Sequence, residues 1–158
     1  MIYLDGQKVV ITGGSRGIGA ACAVLFARAG ADVGILYRSD KRAADGVAAS
    51  VRKLGKNALI VRVDVSDMKE CTNAVRTVTR ELGSVDILVN SAGIWEYAPV
   101  GRMSTAKWGK TIRINLDGTM NMIRAVVPTM ISRKYGRIIN IASTAGQRGE
   151  AEHSHYAA

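Results

Sequence analysis

The β-branched run Val9-Val10-Ile11 feeds directly into Thr12-Gly13-Gly14-Ser15-Arg16-Gly17-Ile18-Gly19, and then into Ala20-Ala21-Cys22-Ala23-Val24-Leu25. This order reads as strand, tight turn and helix. Glycines at 13, 17 and 19 let the backbone turn sharply and approach a ligand that any Cβ would hold off. The helix that follows points free N–H groups and the positive end of its dipole into the same space, which suits a diphosphate. The spacing is G-x-x-x-G-x-G rather than the commoner G-x-G-x-x-G of dinucleotide folds. A glycine turn without a ligand is the competing reading at this point.

Four further strands are predicted downstream, at Asp32–Tyr37, Asn57–Val63, Val85–Asn90 and Arg137–Ala142, besides Lys8–Thr12. All are near-continuous apolar runs, as expected of strands covered on both faces. Helices are predicted at 17–29, 40–54, 67–82 and, as one long element, 105–134. Alternation of this kind implies a doubly wound parallel α/β sheet, Rossmann-like, as one domain over residues 1–158. In such sheets ligands bind beyond the carboxyl ends of the strands, and every motif of interest sits at such an end.

Composition narrows the function. Lys and Arg number 22 against 13 Asp and Glu, a formal net charge of +9, yet the cations are scattered over several helices. With no basic stripe and few aromatic residues, nucleic-acid binding is set aside in favour of an anionic cofactor or an acidic partner. No run reaches membrane-span length, and the N-terminus carries no secretory signal pattern, so no membrane association is expected. Cys22 and Cys71 fall among apolar helix neighbours and read as buried free thiols of a cytoplasmic protein.

After the second strand, Tyr37-Arg38-Ser39 lacks the acidic residue that marks an NAD ribose contact. Arg38, with Arg16 of the glycine turn, is placed to grip a 2′-phosphate, so NADP(H) is the expected cofactor. Asp64, followed by Val65, ends the third strand. It either accepts from an adenine amine or caps the next helix, for which Ser66 or Asp67 is the better N-cap. Asn90-Ser91-Ala92-Gly93 closes the fourth strand with small residues, either a plain turn or a place where backbone passes close to a ribose.

Together the glycine motif, Asp64, Asn90-Ser91-Ala92-Gly93, Asn115, Ser143 and Tyr156 resemble the short-chain dehydrogenase/reductase family, and most of all its 3-oxoacyl-[acyl-carrier-protein] reductases. The resemblance covers essentially the whole chain, with Asn-Ser-Ala-Gly in place of the usual Asn-Asn-Ala-Gly. It implies NADPH-dependent reduction of a carbonyl, with a 3-oxoacyl thioester as substrate. Thr12, Gly13, Ser15, Arg16, Gly17, Ile18, Gly19, Arg38, Asp64, Val65, Asn90, Ala92 and Gly93 would hold the cofactor. Ser143 would polarise the carbonyl, Tyr156 would be the general acid, and a kink near Asn115 and Gly118 would expose backbone to a proton relay. It also implies a homotetramer, with acyl carrier protein as a partner.

A free phenol has a pKa of about 10, so Tyr156 needs a neighbouring cation to work near neutrality. The family supplies a lysine four residues after the tyrosine, which here would be position 160, beyond Ala158. A piece of a longer polypeptide, lacking the last strands and the substrate lid, is therefore expected. A sugar or secondary-alcohol dehydrogenase and a non-catalytic NADP-binding protein stand as alternatives. His153 and His155 are expected in a substrate-facing loop and not at a metal. Trp95 and Trp108 are expected to pack, although Trp95 is also placed to line a substrate pocket. Arg133, Lys134 and Arg137 form a basic cluster that either is simply solvated or docks an acidic carrier protein.

Overall fold

The computed structural model describes residues 3–158. Five strands, β1 (Lys8–Thr12), β2 (Asp32–Tyr37), β3 (Ala58–Arg62), β4 (Ile87–Asn90) and β5 (Arg137–Asn140), form one sheet in the order β3-β2-β1-β4-β5. Every pairing is parallel. The chain winds outward from β1 to β3 and then crosses back to place β4 on the other side of β1. The strand order therefore reverses between β1 and β4, and their carboxyl ends diverge there to open a cleft.

Burial follows from the two-residue period of a strand. Val9 and Ile11 pack with Val33 and Ile35 on one face, beneath α1 (Gly17–Arg28) and α2 (Lys41–Lys53), whose alanines 23, 27, 44 and 48 allow close approach. Val10, Leu36 and Leu88 point to the other face, under α3 (Met68–Leu82) and α5 (Gly118–Ser132). Cys71 of α3 lies in this second layer, and burial pushes its thiol up to about 12. Cys22 and Cys71 are both free thiols; Cys22 is half-buried rather than buried.

The element boundaries differ from expectation in two ways. Strands β3, β4 and β5 are each shorter at one or both ends, because residues 57, 63, 85–86 and 141–142 lie outside the regular strands. The single helix expected over 105–134 is two helices, α4 (Thr105–Ile112) and α5, joined by a π-helical turn at Arg113–Asp117. Among the described residues β5 pairs with β4 alone, and all four of its residues are exposed, as expected of a chain that lacks the last strands. The segments after it, α6 (Ala145–Arg148) and α7 (Ser154–Ala157), are single turns packed on each other, and α7 also packs on α4.

Ion pairs tie the opposite edge of the sheet from the cleft. Asp86, 3% exposed, accepts from the Lys8 backbone N–H at 2.8 Å, from Ser84 Oγ at 3.1 Å and from Arg133 at 2.6 Å. Arg133 of the basic cluster is thus committed to a structural pair, and Arg137 lies over the Tyr135 ring. Lys8 Nζ reaches Asp32 at 2.8 Å. Removing Asp86 takes the partner from a half-buried backbone N–H, a serine hydroxyl and a partly exposed guanidinium at once. Asp86→Ala is expected to lower unfolding stability by about 2 kcal/mol, read from the denaturant midpoint of full-length protein.

Candidate active site

The glycine turn is built by contact with the turn after β4. The Thr12 hydroxyl oxygen accepts the backbone N–H groups of Ser91 and Ala92, each at 3.0 Å. Gly13 has a φ of +64°, and a Cβ there would lie 2.9 Å from Ala92 Cα. A Cβ on Gly19 would collide with the Gly13 carbonyl oxygen. Thr12 and Gly19 therefore sit behind the cleft and shape it, whereas Gly13, Ser15, Arg16, Gly17 and Ile18 line it.

The cleft has a volume of about 780 Å³, within the range of ligand sites. Its fit to a dinucleotide rests on α1. Helices α2, α3 and α4 carry side-chain N-caps, from Asp40, Asp67 and Ser104. In α1 the N-cap position is Arg16, which makes no capping hydrogen bond, and no acid occupies the first turn. The first N–H groups of α1 are thus left for an anion, with the dipole's positive end behind them. Gly17, at φ +55°, has nothing within 4 Å of where a Cβ would stand, so the cradle is open where a side chain would fill it.

Arg38 lines the cleft on the β2 side with Ser39. Arg62, which sequence reasoning passed over, ends β3 and donates from Nε to the Arg38 carbonyl at 3.3 Å. Its signal was a cation closing an apolar strand. Asp64 and Val65 line the same region, and Asp67 rather than Asp64 caps α3. A hydrogen bond from Ser66 holds the Asp64 carboxyl below the usual carboxylate range; partial burial opposes this, and Arg38 and Arg62 add to the lowering. Asp64 Oδ1 takes both the Ser66 N–H and hydroxyl, at 2.9 and 2.7 Å.

At the other end, Asn90, Ala92 and Gly93 line the cleft. Asn90 Nδ2 donates to Asn140 Oδ1 at 3.0 Å, while its own Oδ1 is buried with no partner among the described residues. Asn140 also lines the cleft and was not anticipated; its signal was a lone amide in Ile138-Ile139-Asn140-Ile141. Asn115 bridges the backbone of Ile94, accepting its N–H at 2.8 Å and donating to its carbonyl at 2.9 Å. The π-helical turn swings this side chain out of regular helical register toward the β4 loop, which is where the kink was expected.

Ser143 and Tyr156 come from different segments, the loop after β5 and α7, and both line the cleft. Ser143 Oγ accepts the Ala145 N–H at 3.2 Å, which leaves its own proton free to donate elsewhere. The histidines are not substrate-facing. His153 is 7% and His155 1% exposed, and neither lines the cleft; Trp95 and Tyr97 of the β4 loop pack on the His153 ring, and α7, which bears His155, lies against α4. The tryptophans are not packed inside either: Trp95 lines the cleft, and Trp108 of α4 is exposed. Among the described residues no cluster of His, Cys, Asp and Glu is arranged to hold a metal ion, and no helix is long and apolar enough to cross a membrane.

This geometry has close counterparts. A 3-oxoacyl-[acyl-carrier-protein] reductase of Synechocystis sp. is 36% identical over the whole of this chain and 64% of its own length. Galactitol 2-dehydrogenase of Agrobacterium fabrum is 41% identical over 94% of this chain and 57% of its own. The crystal structure of an NAD+-bound xylitol dehydrogenase superposes with a TM-score of 0.92 at 32% identity, over 97% of this chain and 59% of that one. The chain thus spans about six-tenths of the length of these relatives. The family model described as short chain dehydrogenase matches residues 7–158, from the strand that feeds the glycine turn to the turn that bears Tyr156. The chain belongs to the short chain dehydrogenase family.

Proposed function

We propose that the full-length protein reduces a carbonyl to an alcohol with NADPH, with 3-oxoacyl thioesters as the leading substrate class. The observation that carries this reading is one cleft that joins the uncapped end of α1 to Ser143 and Tyr156. The Synechocystis relative's activity supports the substrate class.

A nicotinamide dinucleotide, when bound, supplies the hydride. The α1 N–H groups and Gly17 would hold its diphosphate, and Arg16 and Arg38 a 2′-phosphate, for which guanidinium groups have the matching fork of donors. Asp64 would take the adenine amine through Oδ2, since Oδ1 is committed to Ser66. Ser143 donates its free proton to the substrate carbonyl oxygen, which withdraws electrons from the carbon. Tyr156 gives its phenolic proton to the same oxygen, and the phenolate is reprotonated from water. The Asn115 side chain is spent on Ile94, so it positions the β4 loop, and its backbone alone serves a relay.

Oxidation of a sugar alcohol or secondary alcohol is the second reading. The 41% identity to galactitol 2-dehydrogenase favours it. Exposed apolar side chains on α4 and α5, Trp108, Met120 and Ile131, support self-association into a homotetramer. The free thiols support a cytoplasmic location.

Two substitutions test the proposal in full-length protein. Tyr156→Phe removes the proton donor and is expected to lower kcat by about 100-fold or more while NADPH still binds. Arg38→Asp is expected to move the NADPH-to-NADH preference in kcat/KM toward NADH by on the order of 10–100-fold. An unchanged preference would discard the assignment of the 2′-phosphate site.

A further inference from the structure

A side recess of about 430 Å³ adjoins the β2 end of the cleft, and every residue lining it lies between Arg38 and Ile114. It shares Arg38, Ser39 and Asp64 with the cleft and adds Arg62, Lys110 and Arg113. Its walls thus carry four cations against two carboxylates, Asp64 and Glu70. Both carboxylates are turned to neutral donors: Asp64 Oδ1 accepts from Ser66, and Glu70 Oε2 accepts the Asp64 backbone N–H at 2.8 Å. Lys110 is tied to Glu96. Among the described residues Arg38, Arg62 and Arg113 form no ion pair, so the recess keeps an excess of positive charge.

Arg62 is held at the rim of this recess by the sheet itself. It stands opposite Tyr37 on the last rung of the β2–β3 ladder, and its Nε donates to the Arg38 carbonyl oxygen at 3.3 Å. That bond takes one of the five N–H donors of a guanidinium. The two terminal amino groups make no hydrogen bond among the described residues. A guanidinium anchored along one edge has less freedom to lose when its remaining donors meet an anion. Packing does not account for the residue: Arg62 closes the apolar run Ala58-Leu59-Ile60-Val61 but is itself exposed.

Charge balance supplies an independent argument. A 2′-phosphate carries about two negative charges near neutrality, and Asp64 adds another at the same end of the cleft. Arg16 and Arg38 each bring one positive charge. The charge still needed for balance is that of Arg62, since Glu70 and Arg113 offset each other and Lys110 is spent on Glu96.

We propose that Arg62 is a specificity-determining residue for the cofactor's adenosine end. Its free amino groups join Arg38 on the 2′-phosphate, while its Nε holds the Arg38 peptide in place. Strand β3 thereby takes part in choosing NADPH over NADH, beside the glycine turn and the end of β2. This deepens the reductase reading and rests on its assignment of NADPH.

The test is calorimetric titration of the full-length polypeptide with adenosine 2′,5′-bisphosphate and with 5′-AMP. The wild-type protein is expected to bind the bisphosphate at least about tenfold more tightly than the monophosphate. Arg62→Ala is expected to weaken the bisphosphate about tenfold and to leave 5′-AMP within about twofold, since one charge-assisted contact is lost. Arg62→Lys keeps the charge without the fork of donors and should fall between the two. In an Arg38→Ala background, Arg62→Ala is expected to cost the bisphosphate about threefold or more again, because its own contact survives there. Bisphosphate affinity kept in Arg62→Ala overturns the inference, leaving a solvated strand-end cation. Equal loss for both nucleotides overturns it by making Arg62 a support of the fold, and no further loss in the Arg38→Ala background overturns the phosphate contact. A wild-type protein that does not distinguish the two nucleotides overturns the NADPH assignment, and the inference with it.

Discussion

The contact between two chain reversals, one after β1 and one after β4, is the constraint on which the cleft depends. Thr12 sits where the strand order reverses, and one hydroxyl oxygen holds two backbone N–H groups of the opposite turn. A glycine follows it because a Cβ at position 13 would overlap Ala92. The spacing between the α1 amides and the Asn90–Gly93 turn is therefore set by backbone against backbone. Such a contact has few rotatable bonds to freeze, so the two halves are positioned at small entropic cost before any ligand arrives.

Polar groups are divided between the two edges of the sheet. At the amino ends of the strands, Lys8–Asp32 and Arg133–Asp86 are paired, and their charges are spent on holding neighbouring strands together. At the carboxyl ends, α1 is uncapped, Asn90 keeps an unpartnered oxygen and Ser143 keeps an unused proton. Binding capacity thus resides where hydrogen-bonding potential is left over, and stability where it is used up. Among the described residues lining the cleft, Arg16 and Arg38 stand on the β1 and β2 side.

The glycine turn, the sheet and most of the cleft lining were legible in the sequence because each rests on local patterns. Strands β1 and β2 match the expected limits residue for residue, since continuous apolar runs bounded by turns leave little freedom. The break at Arg113–Asp117 was legible only as a possible kink, because its cause is a pair of hydrogen bonds to Ile94, 21 residues away in sequence. The histidines were misplaced for a similar reason. A His-x-His pair carries no periodic signal of burial, and the ring that covers His153 comes from the β4 loop.

The π-helical turn between α4 and α5 fixes a rotational phase. In a regular helix each residue turns the axis by about 100°, so a single inserted or deleted residue before Gly118 would rotate all of α5. Met122, Val126 and Met130 would swing off the sheet, and the exposed Met120 and Ile131 would be driven toward it. The widened turn absorbs one residue's worth of that angle, keeping α5's core face aimed at β4 while Asn115 still reaches Ile94. Length in this stretch is thereby quantised: side chains on its surface are free to vary, but the number of residues between Ser104 and Met122 is not.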